Sequence, residues 1–346
     1  MRKDMDLLMD RVDTFTRSDA GALIQVKGIR EITGKALPLN SFGLPENMRG
    51  YLDYTIGRFL EYWEKRKDLK DDLFPAMSPW YGIAEHTAFV GGEVDISENT
   101  SWHHPVVKSW SDMDKLSLSE SNPWFRLVID GMSYLREKAK GRFLVKLRGG
   151  ESPMDIANVL RGNDMFYDFF EYPDEIRALF GFTAKAALFM LNRQSEIADR
   201  VGGGVITGFD VWLPGKGTGH LSEDASVMIS NDHFREFGVP FTEKVTGEFD
   251  HVFMHTHSVG VHNIPLIARM KNIDYIEISN DPNAQRAIEV YRQLEDDLAG
   301  KTVVVMATMD EIRENMDFLR GKKTILWYEA GTLEEAEQAV RLVRQI

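Results

Sequence analysis

Short apolar runs alternate with amphipathic stretches along most of the chain, from residue 73 onward. The apolar runs are rich in β-branched and aromatic residues, as buried strands are. These runs are LFPAMSP (73–79), RFLVKLRGG (142–150), GVITGFDVWLP (204–214), DHVFMHTHS (250–258), IDYIEIS (273–279), TVVVMAT (302–308) and TILWYEA (324–330). The helical stretches between them cover 173–197, 232–246, 283–298, 309–319 and 333–344. This alternation predicts parallel β-α-β units.

An eighth strand is predicted at GALIQVKG (21–28), and eight strands with intervening helices favour a TIM (β/α)8 barrel. A doubly wound open sheet is the alternative. Residues 45–72 have helical periodicity, so we expect 1–70 to form a mainly helical N-terminal extension and 71–346 to form the barrel domain. The glycine-rich stretch PGKGTGHLSED (214–224) lacks the spacing of a phosphate-binding loop, and we expect a mobile loop over the barrel mouth.

Composition narrows the possible functions. The 346 residues carry a formal net charge of -13 and no basic run, which argues against a nucleic-acid partner. Cysteine is absent, which excludes disulfides, thiolate zinc ligands and a cysteine nucleophile. Neither a signal peptide nor a membrane-spanning apolar run of about 18 residues is visible, so a soluble cytoplasmic protein is expected. No prediction of the oligomeric state follows.

Side chains alternate between the two faces of a strand, so the apolar positions show which polar residues point into the barrel. Val252 and Met254 suit the helix side, which turns His255 and His257 inward at the carboxyl end of their strand. The same sorting turns further polar or aromatic residues inward or to the rim: Lys146, Arg148, Asp210, Trp212, Glu277 and Glu329. These groups are either a ligand pocket or structural bridges, in which Lys146 and Arg148 pair with Asp210 and Glu277.

A resemblance to a known family follows from several stretches. SEDASVMISNDHFREFGVPFTEKV, HTHSVG, NIDYIEISNDPN, LFPAMSPWYGIAEHTAFVGGEVDI and PVVKSWSDMDKL together resemble the uroporphyrinogen decarboxylase superfamily over about residues 70–345. The family fold is a TIM barrel. The arginine-rich motif of the haem-pathway decarboxylases has no match here. The chain is more similar to the zinc-dependent methyltransferases, which exchange methyl groups with a corrinoid protein or a thiol.

Those methyltransferases carry a His-x-Cys pair at a strand end and a later cysteine. The pair here reads His255-Thr-His257, and Tyr328 or Glu329 stands near the later position. Zinc accepts imidazole and carboxylate, so we expect zinc bound by His255 and His257, with Glu277 and Glu329 as candidate carboxylate ligands. Such a site is a harder Lewis acid than a thiolate site, which makes thiol activation less expected. The alternative is that both histidines are metal-free acid-base groups or core residues.

The resemblance implies a metal-dependent methyltransferase acting on a small methylated, anionic substrate, with a corrinoid protein or similar methyl carrier as partner. His255, His257 and Asp210 are the predicted catalytic residues. The predicted substrate-binding residues are Lys146, Arg148, Trp212, His220, Asp224 and His86. Two alternatives stay open: a metal-free decarboxylase or other lyase in which Lys146 and Arg148 grip carboxylates, and a non-catalytic binding protein on the same fold.

Overall fold

The computed structural model describes residues 4–215 and 217–346. Within these residues the strands are β1 (Gly21–Ile29), β2 (Ala76–Met77), β3 (Val94–Ile96), β4 (Ser101–His103), β5 (Leu144–Val145), β6 (Gly150–Glu151), β7 (Arg200–Val201), β8 (Gly204–Ile206), β9 (Trp212–Leu213), β10 (Thr218–Ser222), β11 (His251–His257), β12 (Ile273–Ser279), β13 (Thr302–Met306) and β14 (Lys323–Ala330).

The α-helices of the same residues lie mainly between these strands. They are α1 (Met5–Arg17), α2 (Met48–Lys65), α3 (Glu85–Ala88), α4 (Pro123–Ala139), α5 (Pro153–Arg161), α6 (Met165–Glu171), α7 (Pro173–Ile197), α8 (Asn231–His233), α9 (Val239–Thr246), α10 (Ile264–Arg269), α11 (Ala287–Gln293), α12 (Met309–Glu314), α13 (Met316–Arg320) and α14 (Leu333–Val343). A π-helical turn, Phe234–Gly238, joins α8 to α9. No helix of the described residues is long and apolar enough to cross a membrane.

The central sheet has seven parallel strands in the order β1-β14-β13-β12-β11-β10-β6. Strands β2 and β5 form a parallel pair beside it, whereas β7-β8-β9 and β3-β4 are antiparallel. The prediction of an α/β fold with parallel strands is therefore confirmed. The described residues do not form one closed barrel. Strand β1 comes from the N-terminal segment and pairs with β14, the last strand of the chain.

The outer edge of β1 is covered mainly by side chains. The Asp72 backbone donates to the carbonyl of Ile24 at 2.7 Å, and the Asp72 carboxylate accepts from the backbone N–H of Ile24 at 2.9 Å. The Asp71 carboxylate accepts from the N–H of Val26 at 2.9 Å. Arg66, itself buried, bonds both the Val26 carbonyl and Asp71. The backbone N–H and carbonyl groups of Ile24 and Val26 are thereby satisfied without a full neighbouring strand.

The two faces of the sheet belong to two hydrophobic clusters. Val252 and Met254 lie in the larger cluster with the surrounding helices, and Phe253 lies in the smaller one. Ile325 and Trp327 of β14 also face the smaller cluster, which α1 completes with Leu8, Val12 and Phe15. On β11 and β12 the faces are therefore those that period-two alternation predicts.

Two predictions about the middle of the chain were wrong. Residues 204–214 do not form one strand, because a turn separates β8 from β9 and Asp210 adopts a positive φ of 68°. Alternation cannot be carried across a turn, and Phe209, Val211 and Trp212 all pack with the smaller cluster. The expected mobile loop contains β10, whose five residues are all buried between β11 and β6. Lys216 of that stretch lies outside the described residues.

Candidate metal site

Two histidines and one aspartate converge at the carboxyl ends of the central strands. His255 and His257 leave the same face of β11, and Asp224 stands two residues beyond the end of β10. The Nε2 atoms of His255 and His257 lie 3.6 Å and 3.2 Å from Oδ1 of Asp224. The candidate ligand atoms of the three residues all lie within 4.8 Å of one another, so the group could hold a metal ion.

The other nitrogen of each imidazole contacts a carboxylate from the neighbouring strand. Nδ1 of His255 bonds to Glu277, which is its register partner on β12. Nδ1 of His257 bonds to Oδ1 of Asp281 at 2.7 Å. Asp281 is held in turn by the backbone N–H of Val259 at 3.0 Å. A carboxylate on Nδ1 leaves Nε2 free to bind a metal and fixes the ring, as in the carboxylate–histidine–metal arrangement.

The electrostatics of this group favour positive charge. The hydrogen bond to Asp224 outweighs burial and raises the pKa of His257 to about 9. Burial by itself would lower the pKa of His255, but the adjacent Glu277 raises it above its ordinary value. The pKa of Asp224 is lowered, because the two histidines offset the effect of burial. Protons and divalent cations compete for the same imidazole nitrogens, so a bound metal would take the place of these protons.

Helix α5 holds Asp224 in position. Ser152 precedes the helix and accepts from the N–H of Asp155 at 3.1 Å, and Pro153 occupies the first helical turn, both of which favour a helix start at this point. Asp155 is thereby presented to the loop after β10, where its carboxylate accepts from the N–H groups of Asp224 at 2.8 Å and Ala225 at 2.6 Å. These bonds fix the backbone of the candidate ligand from outside the metal group.

Further carboxyl groups surround Asp224. Glu151, Asp155 and Asp224 form a second group whose ligand atoms lie within the same range. Burial raises the pKa of Glu223 to about 8. Burial and the nearby Asp224 also hold the pKa of Glu151 well above its ordinary range. Because both oxygens of Asp155 already accept backbone N–H groups, the group with the two histidines is the better ligand set.

Two buried lysines share one carboxylate deeper in the structure. Lys146 and Lys27 both pair with Asp210, one on each carboxylate oxygen. Lys146 also donates to the carbonyl of Gly208 at 2.8 Å, and Lys27 donates to the carbonyl of Phe209 at 3.1 Å. Burial by itself would raise the pKa of Asp210, but the two lysines lower it below its ordinary value. The bridge between Lys146 and Asp210 that was considered from the sequence is present.

Arg148 pairs with a different carboxylate from the one considered. Its Nε contacts Glu85 and not Glu277. The guanidinium lies over the Trp80 ring, 4.5 Å from its centroid. His86, beside Glu85, has its Nε2 4.0 Å from Oε1 of Glu151, and burial holds its pKa well below the ordinary value.

His220 lies on β10, opposite Phe253 of β11. Its Nδ1 accepts the backbone N–H of Gly208 at 3.1 Å, and burial holds its pKa well below the ordinary value. Phe209 contacts this ring edge to face at a centroid distance of 5.1 Å and stacks on His255 at 4.8 Å. His220 is therefore a neutral buried imidazole that shares an aromatic neighbour with the metal group.

The structure separates three predicted site residues from the ligand group. Glu277 bonds to Nδ1 of His255 and belongs to neither candidate metal group. Glu329 is exposed at the end of β14 and is likewise outside both groups. Trp212 is buried in the smaller hydrophobic cluster, and its indole N–H donates to the Val201 carbonyl at 2.8 Å. Of these three residues, only Glu277 touches a candidate ligand.

The structure gives three aspartates roles in the metal site that were not predicted from the sequence: Asp224, Asp155 and Asp281. Asp224 was expected to contact substrate as a loop residue, and the missed strand β10 concealed its place at a strand end. The available signals were the acidic pair Glu223-Asp224 and, earlier in the chain, the SxxD spacing of a helix start at 152–155. Asp281 follows β12 by two residues, which is where a carboxyl-end loop begins.

Two imidazole nitrogens and one carboxylate oxygen form the three-ligand set of catalytic zinc sites, which keep a fourth position for water or substrate. The residues present therefore fit zinc, even though no thiolate is available. The comparison with protein-family models and with curated protein sequences finds no match to this chain.

Proposed function

We propose that the protein is a zinc-dependent enzyme that removes a methyl group from a small methylated substrate. The observation that supports it is the pair of imidazoles whose Nε2 atoms converge on Asp224 while Glu277 and Asp281 occupy their Nδ1 atoms. This arrangement has the ligands and the supporting carboxylates of a metal centre. A structural histidine pair has no need of three converging acceptors.

The donor set favours a hard Lewis acid. Bound zinc would polarise the oxygen or nitrogen atom that carries the methyl group, which makes that atom a better leaving group. The protein's own residues hold the site ready: Glu277 and Asp281 orient the rings, and Asp155 fixes the backbone of Asp224. Phe209 covers one face of His255 and keeps water from it.

Methyl transfer is chosen over other Lewis-acid reactions because of the resemblance to the methyltransferase branch of the uroporphyrinogen decarboxylase superfamily. Members of that branch exchange methyl groups with a corrinoid protein or a thiol, and we propose a corrinoid as the acceptor here. A Co(I) corrinoid would supply the electron pair of the new bond to the methyl carbon. The heteroatom would keep the electron pair of the broken bond and take up a proton, and zinc held by His255, His257 and Asp224 would stabilise it as it departs.

We also propose that the separate sheets are parts of one (β/α)8 barrel. Two backbone hydrogen bonds beyond the paired strands support this: Leu147 N–H to the Ile206 carbonyl at 3.0 Å and Asp72 N–H to the Ile24 carbonyl at 2.7 Å. In such a barrel the candidate ligands stand at the carboxyl ends of the strands, where barrel enzymes have their active sites.

Elemental analysis of protein purified without a histidine tag tests the metal site. We expect near-stoichiometric zinc in the wild type and its loss in His255→Ala, His257→Ala and Asp224→Ala. His251→Ala is the matched control, because His251 lies on the same strand and bonds to Asp274 at 2.7 Å but is outside the candidate groups. Wild-type protein without zinc, or variants that keep it, would contradict the proposed site.

The reaction is tested separately by the change in absorbance when cob(I)alamin becomes methylcobalamin. Methyl ethers, methylamines and methylated carboxylic acids are supplied one at a time with the zinc-loaded protein. We expect methylcobalamin with at least one class and none with the His257→Ala variant. Zinc-loaded protein that converts no class, even with a corrinoid protein in place of free cobalamin, would refute methyl transfer.

A further inference from the structure

Arg148 has an unused hydrogen-bond donor in a buried position. Only 8% of the residue is exposed, and its Nε is engaged by Glu85. Its Nη2 is buried and has no hydrogen-bond partner among the described residues. An unpaired arginine N–H group in the protein interior destabilises the fold unless a ligand accepts a hydrogen bond from it. Arginine also offers two parallel N–H groups that match a carboxylate.

His220 provides a second donor of the same kind. Because Nδ1 accepts the N–H of Gly208 at 3.1 Å, the proton of the neutral ring is on Nε2. That Nε2–H donates to none of the described residues, although the residue is only 2% exposed. A neutral imidazole fixed in one tautomer is a directed donor, whereas a freely titrating histidine is not.

Arg148 and His220 are neighbours in the fold. A Cβ added to Gly149, the residue after Arg148, would overlap the His220 ring, and one added to Gly208 would overlap both that ring and the Arg148 carbonyl. Gly149 also has a φ of 93°, which favours glycine at this close approach. The His220 ring therefore lies against the backbone that follows Arg148, and Leu221 pairs with Gly150 where β10 meets β6.

The charges around these donors favour an anion. Lys27, Lys146 and Arg148 form ion pairs with two carboxylates, Asp210 and Glu85, which leaves one positive charge without an ion-pair partner. Burial holds the pKa of the nearby Glu151 well above its ordinary range, which favours the uncharged form of that group. Phe209 connects the set to the metal group, since its ring contacts both His220 and His255. A bound anion would thus lie beside the metal.

We propose that Arg148 and His220 form a subsite for a substrate carboxylate, so that the substrate is a small methylated carboxylic acid. One oxygen accepts from Nη2 of Arg148 and the other from Nε2 of His220. The inference rests on the proposed function, because the metal would hold the end of the same molecule that carries the methyl group. Neither residue takes part in bond breaking; both position the substrate.

Calorimetric titration with methoxyacetate tests the subsite, and the uncharged 2-methoxyacetamide serves as the matched ligand. We expect the acid to bind and the amide to bind at least tenfold more weakly. Arg148→Met should weaken binding of the acid by roughly tenfold to a hundredfold, the value of a charged hydrogen bond. His220→Leu should weaken it as well, and His220→Gln, which keeps a donor near the Nε2 position, should weaken it less.

Arg161→Met is the control variant. Arg161 is matched to Arg148 in its buried side chain, its ion pair (with Asp168) and its position over a tryptophan ring, but its Nη groups already donate to the protein. It should bind the acid as the wild type does. Equal binding of acid and amide by the wild type, or unchanged binding in Arg148→Met, overturns the subsite.

The ring nitrogen shifts of 15N-labelled His220 provide a readout that does not depend on any variant. They should show a neutral ring with the proton on Nε2, and a charged ring at neutral pH would overturn this part of the proposal. Zinc content measured on the same samples separates the two proposals. If the protein binds the acid but contains no zinc, the subsite is supported and the zinc enzyme is refuted. If it contains zinc but does not bind the acid, the zinc site is supported and the subsite is refuted.

Discussion

Asp210→Asn isolates the charge that holds two buried lysines together. The side chains of Lys146 and Lys27 are 12% and 19% exposed, and both pair with this one carboxylate. Asp210 has a φ of 68°, a conformation that asparagine tolerates as well as aspartate does. The substitution therefore removes the charge and keeps the backbone conformation.

Removing one partner of a buried ion pair costs about 3–5 kcal/mol of unfolding free energy. The lower end applies here, because each lysine keeps a backbone carbonyl acceptor, at Gly208 and Phe209. Lys27 also keeps its position 4.7 Å from the centroid of the Trp327 ring. We expect a loss of about 3 kcal/mol, a large part of the 5–15 kcal/mol that is typical of domains.

Urea unfolding followed by tryptophan fluorescence measures this loss, provided that the slope of the free energy with urea is unchanged. Asp274→Asn is the control, because Asp274 is 43% exposed and bonds to His251 near the protein surface. Its loss should stay below about 1 kcal/mol. If Asp210→Asn costs no more than this control, the carboxylate does not hold the lysines in solution and the reasoning fails.

The pH dependence follows from the lowered pKa of Asp210. A carboxyl group whose pKa is lower in the folded state than in the unfolded state contributes its full stabilisation at pH values above the unfolded-state pKa. That contribution is lost as the pH falls through the folded-state value. The difference in unfolding free energy between the wild type and Asp210→Asn should therefore be constant near neutrality and shrink in acid. A difference that grows on acidification would contradict the assignment.

Two further substitutions test the carboxylate that bonds to His255 and the carboxylate that covers the edge of β1. Glu277→Gln should raise the zinc dissociation constant 10- to 100-fold, because Glu277 orients His255, and a chelator competition assay measures this. Glu329→Gln is the control and should leave the constant unchanged, because Glu329 is exposed at a strand end. Asp71→Asn should cost about 3–5 kcal/mol in urea unfolding, because it leaves Arg66 charged, and neither side chain of this ion pair is exposed. A loss below about 1 kcal/mol would show that the Arg66 charge is compensated elsewhere.

The periodic parts of the fold could be predicted from the sequence. Strands β11 and β12 are buried over most of their length and are rich in apolar residues, so their boundaries follow from local pattern. Their faces follow from Val252 and Met254 on β11 and Ile276 and Ile278 on β12, which pack against the helices. The two histidines of β11 are brought together for the same reason. Local pattern fails where pairing is decided at long range. The strand Thr218–Ser222 contains one large apolar residue, Leu221, and exists because β11 and β6 pair with it on both sides.

The missed strand had a direct effect on the site. With residues 214–224 interpreted as a loop, Asp224 had no fixed position, and the carboxylate ligands were sought on β12 and β14 instead. The support for Asp224 comes from Asp155, which is 69 residues away in sequence. A hydrogen bond from a side chain to a distant backbone leaves no periodic trace. Such contacts cannot be predicted from the spacing of residues along the chain.

The covered edge of β1 also has a consequence for self-association. An open edge strand can recruit a strand from another molecule, which is a common start of aggregation. Here the carboxylates of Asp71 and Asp72 occupy backbone donors of β1, and both are buried. An incoming chain would have to displace two charges from their arginine partners before it could pair. The same carboxylates that stabilise the fold thus oppose intermolecular β-pairing at this edge.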